Sequence, residues 1–170
     1  MTRVLAVDPG LTRCGVAVVD GGPGRTVRML AVDVVCSRHE EPLARRLLGL
    51  EVAFADLLAA YRPDVVAVER VFSQHNVASA MSTAQAAAVA HLAAARVGIS
   101  TAEHSPTQVK ASVTGSGRAG KQQVADMVCR VLGLAQPPKP VDATDALALG
   151  ICHLWRMPML ARIEAAEASR

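Results

Sequence analysis

Val4-Leu5-Ala6-Val7-Asp8-Pro9-Gly10, continued by Leu11-Thr12-Arg13-Cys14-Gly15-Val16-Ala17-Val18-Val19-Asp20, decides how the rest of the chain is read. An uninterrupted apolar run of strand length ends in a carboxylate, and Pro-Gly then stops it. A second β-branched run begins within a few residues, so the two read as a hairpin. Asp8 is thereby carried to the rim of a buried sheet. Taken alone, such an Asp is better explained as the cap of a Pro-Gly turn, its usual role. Its meaning depends on what else reaches the same rim.

Outward from this hairpin, Gly21-Gly22-Pro23-Gly24 is a plain turn, and Thr26 to Cys36 completes an antiparallel meander. From Pro42 the period changes: Leu43, Leu47, Leu50, Phe54, Leu57, Leu58 and Tyr61 recur at helical spacing. Asp64-Val65-Val66-Ala67-Val68-Glu69 is a second apolar strand that also ends in a carboxylate. Residues 77–97 predict a long Ala-rich helix, and Ile99 to Glu103 a short strand. Ser105-Pro106-Thr107-Gln108 has the N-cap Ser, first-position Pro and Gln of a helix start. After the loop Gly115–Gly120, Lys121 to Leu132 reads as another helix, and Pro137-Pro138-Lys139-Pro140 leads into a last one over about 142–155. A meander of three strands followed by helix-strand-helix-strand and further helices predicts an α/β sheet of mixed direction. Strands one to three pair antiparallel, and strands four and five return in parallel through helical crossovers.

The 170 residues predict one domain over 1–157, with residues 158–170 as a short, mobile C-terminal tail. Apolar residues make up 51% of the chain and aromatics only 2%, and no run has the length and purity of a membrane span. Met1-Thr2-Arg3 runs directly into a strand, which leaves no room for a signal peptide. Cys14, Cys36, Cys129 and Cys152 stand singly, without CxxC spacing, and read as buried thiols of a reducing cytoplasm. The net charge of +3 permits a polyanionic partner without requiring one.

If strands one and four lie side by side in parallel, Asp8 and Glu69 face one cleft at their carboxyl ends, where open α/β sheets place ligands. Asp142-Ala143-Thr144-Asp145 opens the last helix, and its acids at i and i+3 share a face. A purely structural role is open to them, with Asp142 as N-cap and Asp145 favouring the helix dipole. If that helix packs over the same rim, four carboxylates converge. Such a cluster stays ionised near neutral pH only with a cation, for which hard divalent ions on oxygen ligands are suited. Asp20, Asp33 and Asp64 read as ordinary surface carboxylates.

These motifs, taken in order, resemble the RuvC family of Holliday junction resolvases, the crossover junction endodeoxyribonucleases. The likeness rests on Val7-Asp8-Pro9-Gly10; Val68-Glu69-Arg70-Val71-Phe72 with Asn76, Ser79-Ala80 and Gln85; Val109-Lys110; the Gly-rich loop before Lys121; and Asp142-Ala143-Thr144-Asp145-Ala146-Leu147-Ala148. It spans about residues 3–155. It implies a ribonuclease H-like fold, a homodimer, and Mg²⁺- or Mn²⁺-dependent cleavage of four-way DNA junctions in homologous recombination and DNA repair. A RuvA–RuvB branch-migration complex is the implied partner. The resemblance carries the catalytic and metal-binding roles onto Asp8, Glu69, Asp142 and Asp145, and junction contact onto Phe72, Lys110 and Lys121. The chain departs from the family's Gly-Gln-Ala-Arg-Gly helix pattern, having Ala84-Gln85-Ala86-Ala87-Ala88.

The chemistry expected of the acids is hydrolysis of a phosphodiester by two Mg²⁺ ions roughly 3.5–4 Å apart, replaceable by Mn²⁺, leaving a 5′-phosphate. Lys110 and Lys121, with Arg118 close by, are candidates to neutralise phosphates beside the cleft, although any one of them can equally be a solvated surface cation. Phe72, in a polar loop after Glu69, is a candidate wedge or stacking platform at the crossover, or a side chain folded onto the core. The Ala-rich helix 77–97 offers a surface for a symmetric dimer, with Ala87 and Ala94 as positions to test it; the alternative is a helix buried within one subunit.

Other readings fit less of the chain. Gly115-Ser116-Gly117-Arg118-Ala119-Gly120-Lys121 imitates a phosphate-binding loop, but Gln122 follows and a capped helix precedes it. A sugar-kinase or actin-like ATPase would need a second copy of the first motif. A related RNA-processing nuclease would lack the Phe72 loop and the Asp142/Asp145 pair, and a non-catalytic junction-binding protein would not need all four acids. His75, His91, His104 and His153 share no ligand spacing and read as surface or packed histidines.

Overall fold

The computed structural model describes residues 1–70 and 77–168, with side chains as far as residue 159. The elements are β1 (Thr2–Asp8), β2 (Arg13–Gly21), a 3₁₀ turn (Pro23–Arg25), β3 (Val27–Cys36), α1 (Leu43–Tyr61), β4 (Val65–Glu69), α2 (Val77–Arg96), β5 (Ser100–His104), α3 (Pro106–Thr114), α4 (Lys121–Leu132) and α5 (Val141–Ala168). One five-stranded sheet runs in the order β3-β2-β1-β4-β5. β1 pairs antiparallel with β2 and parallel with β4, while β5 adds parallel to β4. This is the mixed sheet that the sequence predicts.

The unbroken apolar run of β1 is explained by burial on both faces. Val4 and Ala6 point into a core shared with α3, α4 and α5, whereas Leu5 and Val7 point into one shared with α1 and α2. α5 lies so close to the sheet that a methyl group at Gly150 would come within 2.8 Å of the Val19 side chain. At its amino end, a methyl at Gly15 of β2 would stand 2.2 Å from the Asp142 carbonyl oxygen. The start of α5 is thus seated against β2 by the absence of a side chain.

Local signals hold up at the helix starts. The Ser105 Oγ accepts from the Gln108 N–H at 3.2 Å, and Gln108 Oε1 accepts from the Ser105 N–H at 2.9 Å, closing the capping box of α3. Gln123 Oε1 accepts from the Gly120 N–H at 2.9 Å, which makes Lys121 the first residue of α4. The last helix is longer than the sequence predicts: α5 continues through Pro158 to Ala168. A proline removes one helical hydrogen bond, and the Ala- and Glu-rich residues that follow are good helix formers.

Three local readings are corrected. Asp20 is 3% exposed, not a surface carboxylate. Its oxygens accept from Arg3 at 2.8 Å and Arg28 at 3.1 Å, which lower its pKa and make its burial tolerable. Of the four cysteines, Cys14 and Cys152 are buried, but Cys36 is exposed at the end of an edge strand. On α2, Ala87 and Ala94 are 7% and 0% exposed, packed beneath the sheet within this subunit. Their small size lets α2 approach the strands; they do not form an outer face. Among the described residues no helix is long and apolar enough to cross a membrane.

Candidate active site

Two strands and one helix deliver acids to a single place. Val7 pairs with Val68 in the parallel β1/β4 ladder, so the next residues, Asp8 and Glu69, emerge side by side at the carboxyl edge of the sheet. α5 crosses this edge at its start. With Val141 as its first residue, Asp142 is inside the first turn and is not the N-cap. Asp8, Glu69, Asp142 and Asp145 all line one cavity of about 340 Å³, together with Lys110 of α3 and Lys121 of α4.

The crowding shows in the protonation of the acids. Burial, followed by the charges of Glu69, Asp145 and Asp142, pushes the Asp8 carboxyl up to about 8 against the pull of Lys121. Burial and Asp145 push Glu69 up to about 7, opposed by Lys110 and Lys121. Unlike Asp20, neither carboxyl has a hydrogen-bonded guanidinium among the described residues. Asp142 and Asp145 do have cations. Arg13 Nε donates to Asp142 Oδ2 at 2.7 Å, and Lys121 Nζ is 3.6 Å from Asp145 Oδ2.

All-oxygen, anionic donors around a cavity are the chemistry that suits a hard divalent cation. As they stand, among the described residues, no three His, Cys, Asp or Glu side chains converge tightly enough to hold one ion. The donor set fits such an ion, but closing it requires side-chain rotation, and two of the four acids are engaged with cations.

Arg118 does not share this cavity. It lines a neighbouring polar one of about 320 Å³ with Thr114, Ser116 and Arg130, on another side of α4. Phe72 and His75 lie outside the described residues. A third cavity, about 390 Å³ and mostly apolar, lies between α1 and α2 beside Pro63 and Ile99, at the amino ends of β4 and β5. Its one acid, Glu51, is paired with Arg96 at 2.6 Å, so it has no reactive cluster to compare with the first.

Two features escape a reading of the sequence. The Arg13–Asp142 pair joins residues 129 positions apart, and no local pattern announces it. Arg46 of α1 is 9% exposed and binds Ser37 Oγ at 2.8 Å and Thr12 Oγ1 at 2.7 Å, tying the turn after β1 to the end of β3. Of the histidines, His104 and His153 are packed as expected, bonded ring to ring at 2.9 Å, with burial holding both below the usual range. His91 lies 3.3 Å from Glu103.

Residues 4–153 match the family model described as crossover junction endodeoxyribonuclease RuvC. The chain is 57% identical over 98% of its length to the RuvC of Saccharopolyspora erythraea, covering 83% of that protein. It is 60% identical over 98% of its length to the RuvC of Rhodococcus jostii, covering 88% of it. Among solved structures, Thermus thermophilus RuvC in complex with a Holliday junction substrate superposes with a TM-score of 0.89 at 32% identity, over 94% of this chain and 96% of that one. The yeast mitochondrial resolvase Ydc2 superposes with a TM-score of 0.68 at 13% identity, over 99% of this chain and 86% of that one, a likeness of fold alone. The sheet order is that of a ribonuclease H-like fold. This chain therefore belongs to the RuvC family of crossover junction endodeoxyribonucleases.

Proposed function

We propose that this protein resolves four-way DNA junctions, hydrolysing one phosphodiester in each of two opposed strands to leave a 5′-phosphate. The observation that carries the reading is the convergence of Asp8, Glu69, Asp142 and Asp145 on one cavity flanked by Lys110 and Lys121. Family membership supports it, as does the Thermus thermophilus relative solved with a Holliday junction.

The four acids are the residues that would hold Mg²⁺, two ions per site, with Mn²⁺ able to substitute. Bound there, the metal supplies a nucleophilic water and stabilises the leaving oxyanion. The chain's own contribution is placement and charge. Asp8 and Glu69 are fixed by the parallel register, and an approaching cation would displace the protons that burial and neighbouring acids hold on them, a crowding that Lys110 and Lys121 offset only in part. Lys110 and Lys121 stand at the same cavity to receive phosphate oxygens. Arg118 and Arg130, in the neighbouring polar cavity, would meet the backbone farther along the strand. Phe72 is assigned contact at the crossover by family resemblance alone.

A junction is approximately two-fold symmetric, and one cleft makes one nick. A C2 homodimer is the simplest assembly that makes both. The reading includes service alongside a RuvA–RuvB complex, with residues 1–157 as the nuclease unit, and action in the cytoplasm. The test is incubation of the purified protein with a synthetic four-way junction, duplex DNA and single-stranded RNA, each with and without Mg²⁺. Symmetric nicks in the junction alone, only with metal, are expected. RNA cleavage, or junction binding without nicking, would replace this reading with a related nuclease or a binding protein.

A further inference from the structure

The two acids of α5 differ from the two on the strands in having cationic partners, and one of these partners is held with unusual care. Arg13 begins β2, five residues after Asp8, and its Nε–Asp142 Oδ2 bond of 2.7 Å is, among the described residues, the shortest contact that any of the four acids makes with a cation. Both backbones of this pair are fixed. A methyl group at Gly10 would stand 2.1 Å from the Arg13 carbonyl oxygen, so the turn closes directly on Arg13. Arg46 anchors Thr12, the Ser37 N–H donates to the Thr12 carbonyl at 3.0 Å, and Ser37 Oγ donates to the Leu11 carbonyl at 2.6 Å. On the other side, Gly15 seats the Asp142 carbonyl against β2. What remains free is the side chains. Arg13 is 47% and Asp142 34% exposed, so the pair is open to solvent and to competitors.

We propose that Arg13 is a positioning residue that keeps Asp142 out of the metal-binding set in the DNA-free protein and releases it when a junction phosphate takes the guanidinium. The inference rests on the metal-dependent reading above and adds an order of events to it. Two effects act in the same direction. The guanidinium occupies one carboxylate oxygen, and its positive charge opposes a divalent ion arriving at the same cavity. An ion pair this exposed is weak, so it is displaceable. A phosphodiester matches a guanidinium in geometry and charge, and the strand being cut brings one to the rim of this cavity. DNA thereby lifts a brake on metal loading, and by linkage a loaded metal favours DNA.

The test is Mn²⁺ binding to the DNA-free protein, followed by calorimetry and by the spin-resonance signal of the free ion, for wild type, Arg13→Ala and Arg13→Lys. Arg13→Ala is expected to bind Mn²⁺ roughly two- to fivefold more tightly, the range open to a pair of this exposure, with Arg13→Lys closer to wild type. Metal-free junction binding by Arg13→Ala should lose about one unit of salt slope, as one phosphate contact is removed. Equal or weaker Mn²⁺ binding by Arg13→Ala would make Arg13 a support for Asp142 and overturn the proposal, and so would an unchanged salt slope. Absence of saturable Mn²⁺ binding in wild type and Arg13→Ala alike would remove the metal reading itself, and this inference with it. Asp8→Asn marks that distinction, since it should abolish tight Mn²⁺ binding whatever stands at position 13.

Discussion

Asp8 and Glu69 are neighbours because Val7 and Val68 are register partners: each acid is the next residue after that pair, at the same end of adjacent parallel strands. Among the described residues neither carboxyl has a hydrogen-bonded cation, and both are held protonated to higher pH than free carboxyls, Asp8 to about 8 and Glu69 to about 7. Proximity follows from this pairing, and burial together with the acids of α5, Asp145 above all, raises both pKa values.

These two buried acids set how the metal-free protein responds to pH. A carboxyl whose folded pKa is raised stabilises the folded chain below its unfolded pKa, and the contribution is lost as pH climbs through the folded value. His104 and His153 act oppositely. Their lowered pKa values favour the folded chain above about 6.5, and that favour disappears as pH falls toward about 4 for His104. Between pH 6.5 and 8 the unfolded histidines lose the last of their protons, a change that fades with rising pH, while the acids change more and in the opposite sense. Metal-free protein should therefore lose stability across this window, by about 1.4 kcal/mol for each pH unit over which one carboxyl is protonated only when folded. Thermal melts at pH 6.5, 7.2 and 8 in chelator check it. Asp8→Asn should flatten the decline, and Mg²⁺ should raise the melting temperature more at pH 8 than at 6.5. A flat wild-type profile would mean that the acids are not crowded.

The same acids separate chemistry from affinity. Asp8→Asn, Glu69→Gln and Asp145→Asn should each reduce nicking by at least about 100-fold, the lower end of what one positioned catalytic group contributes. Junction binding should survive, because the basic residues supply it. Gel-shift and cleavage assays on one junction give both readouts. Loss of binding and cleavage together, with an altered circular dichroism spectrum, would assign that acid to the fold instead.

The cations sort by cavity. Lys110 shares the acids' cavity, whereas Arg118 lines the adjacent polar one. Lys110→Ala and Arg118→Ala should each lower the salt dependence of junction binding by about one unit of slope. Lys110→Ala should also slow cleavage of bound junction, which Arg118→Ala should leave nearly unchanged. Single-turnover rates at saturating protein distinguish them. Equal slowing by both would place Arg118 at the reacting phosphate, contrary to the separation of the two cavities.

The sequence carries the fold well where local chemistry decides it. The alternation of Val4 and Ala6 against Leu5 and Val7 requires a sheet covered on both faces, and the Ser105–Gln108 box fixes where α3 starts. Helical and strand periods place the elements, and three acidic termini point to one rim. What the sequence does not carry is pairing at long range. Asp20 looks like a surface carboxylate until Arg3 and Arg28 are seen to neutralise it, and Asp142 looks like a cap until Arg13 is found on it. An Ala-rich helix shows that something approaches closely but not what. Here Ala86, Ala90 and Ala94 meet the strands of their own subunit.

That last point moves the expected dimer face. Ala87→Arg and Ala94→Arg would place a charge in this subunit's core and should unfold it, so they do not test assembly. The opposite face of α2 carries Val77, Met81 and Leu92, exposed by 78%, 57% and 51%. At 100° per residue the three fall within an arc of about 60°, with exposed Ala88 inside it and exposed Ala84 about 20° beyond its edge. Isolated exposed apolar residues are ordinary on a protein surface, but an aligned stripe on one helix marks an interaction face. Met81→Arg and Leu92→Arg should leave the monomer's fold within about 0.5 kcal/mol, as surface changes generally do. Sedimentation should then report a single chain's mass where wild type reports two. On a cruciform plasmid, such a monomer should yield nicked circles and wild type linear DNA, since paired nicks require both clefts in one binding event. Variants that remain dimeric would put the interface elsewhere on the molecule. A wild-type protein that is monomeric on the junction and still linearises the plasmid in one encounter would end the two-fold reading.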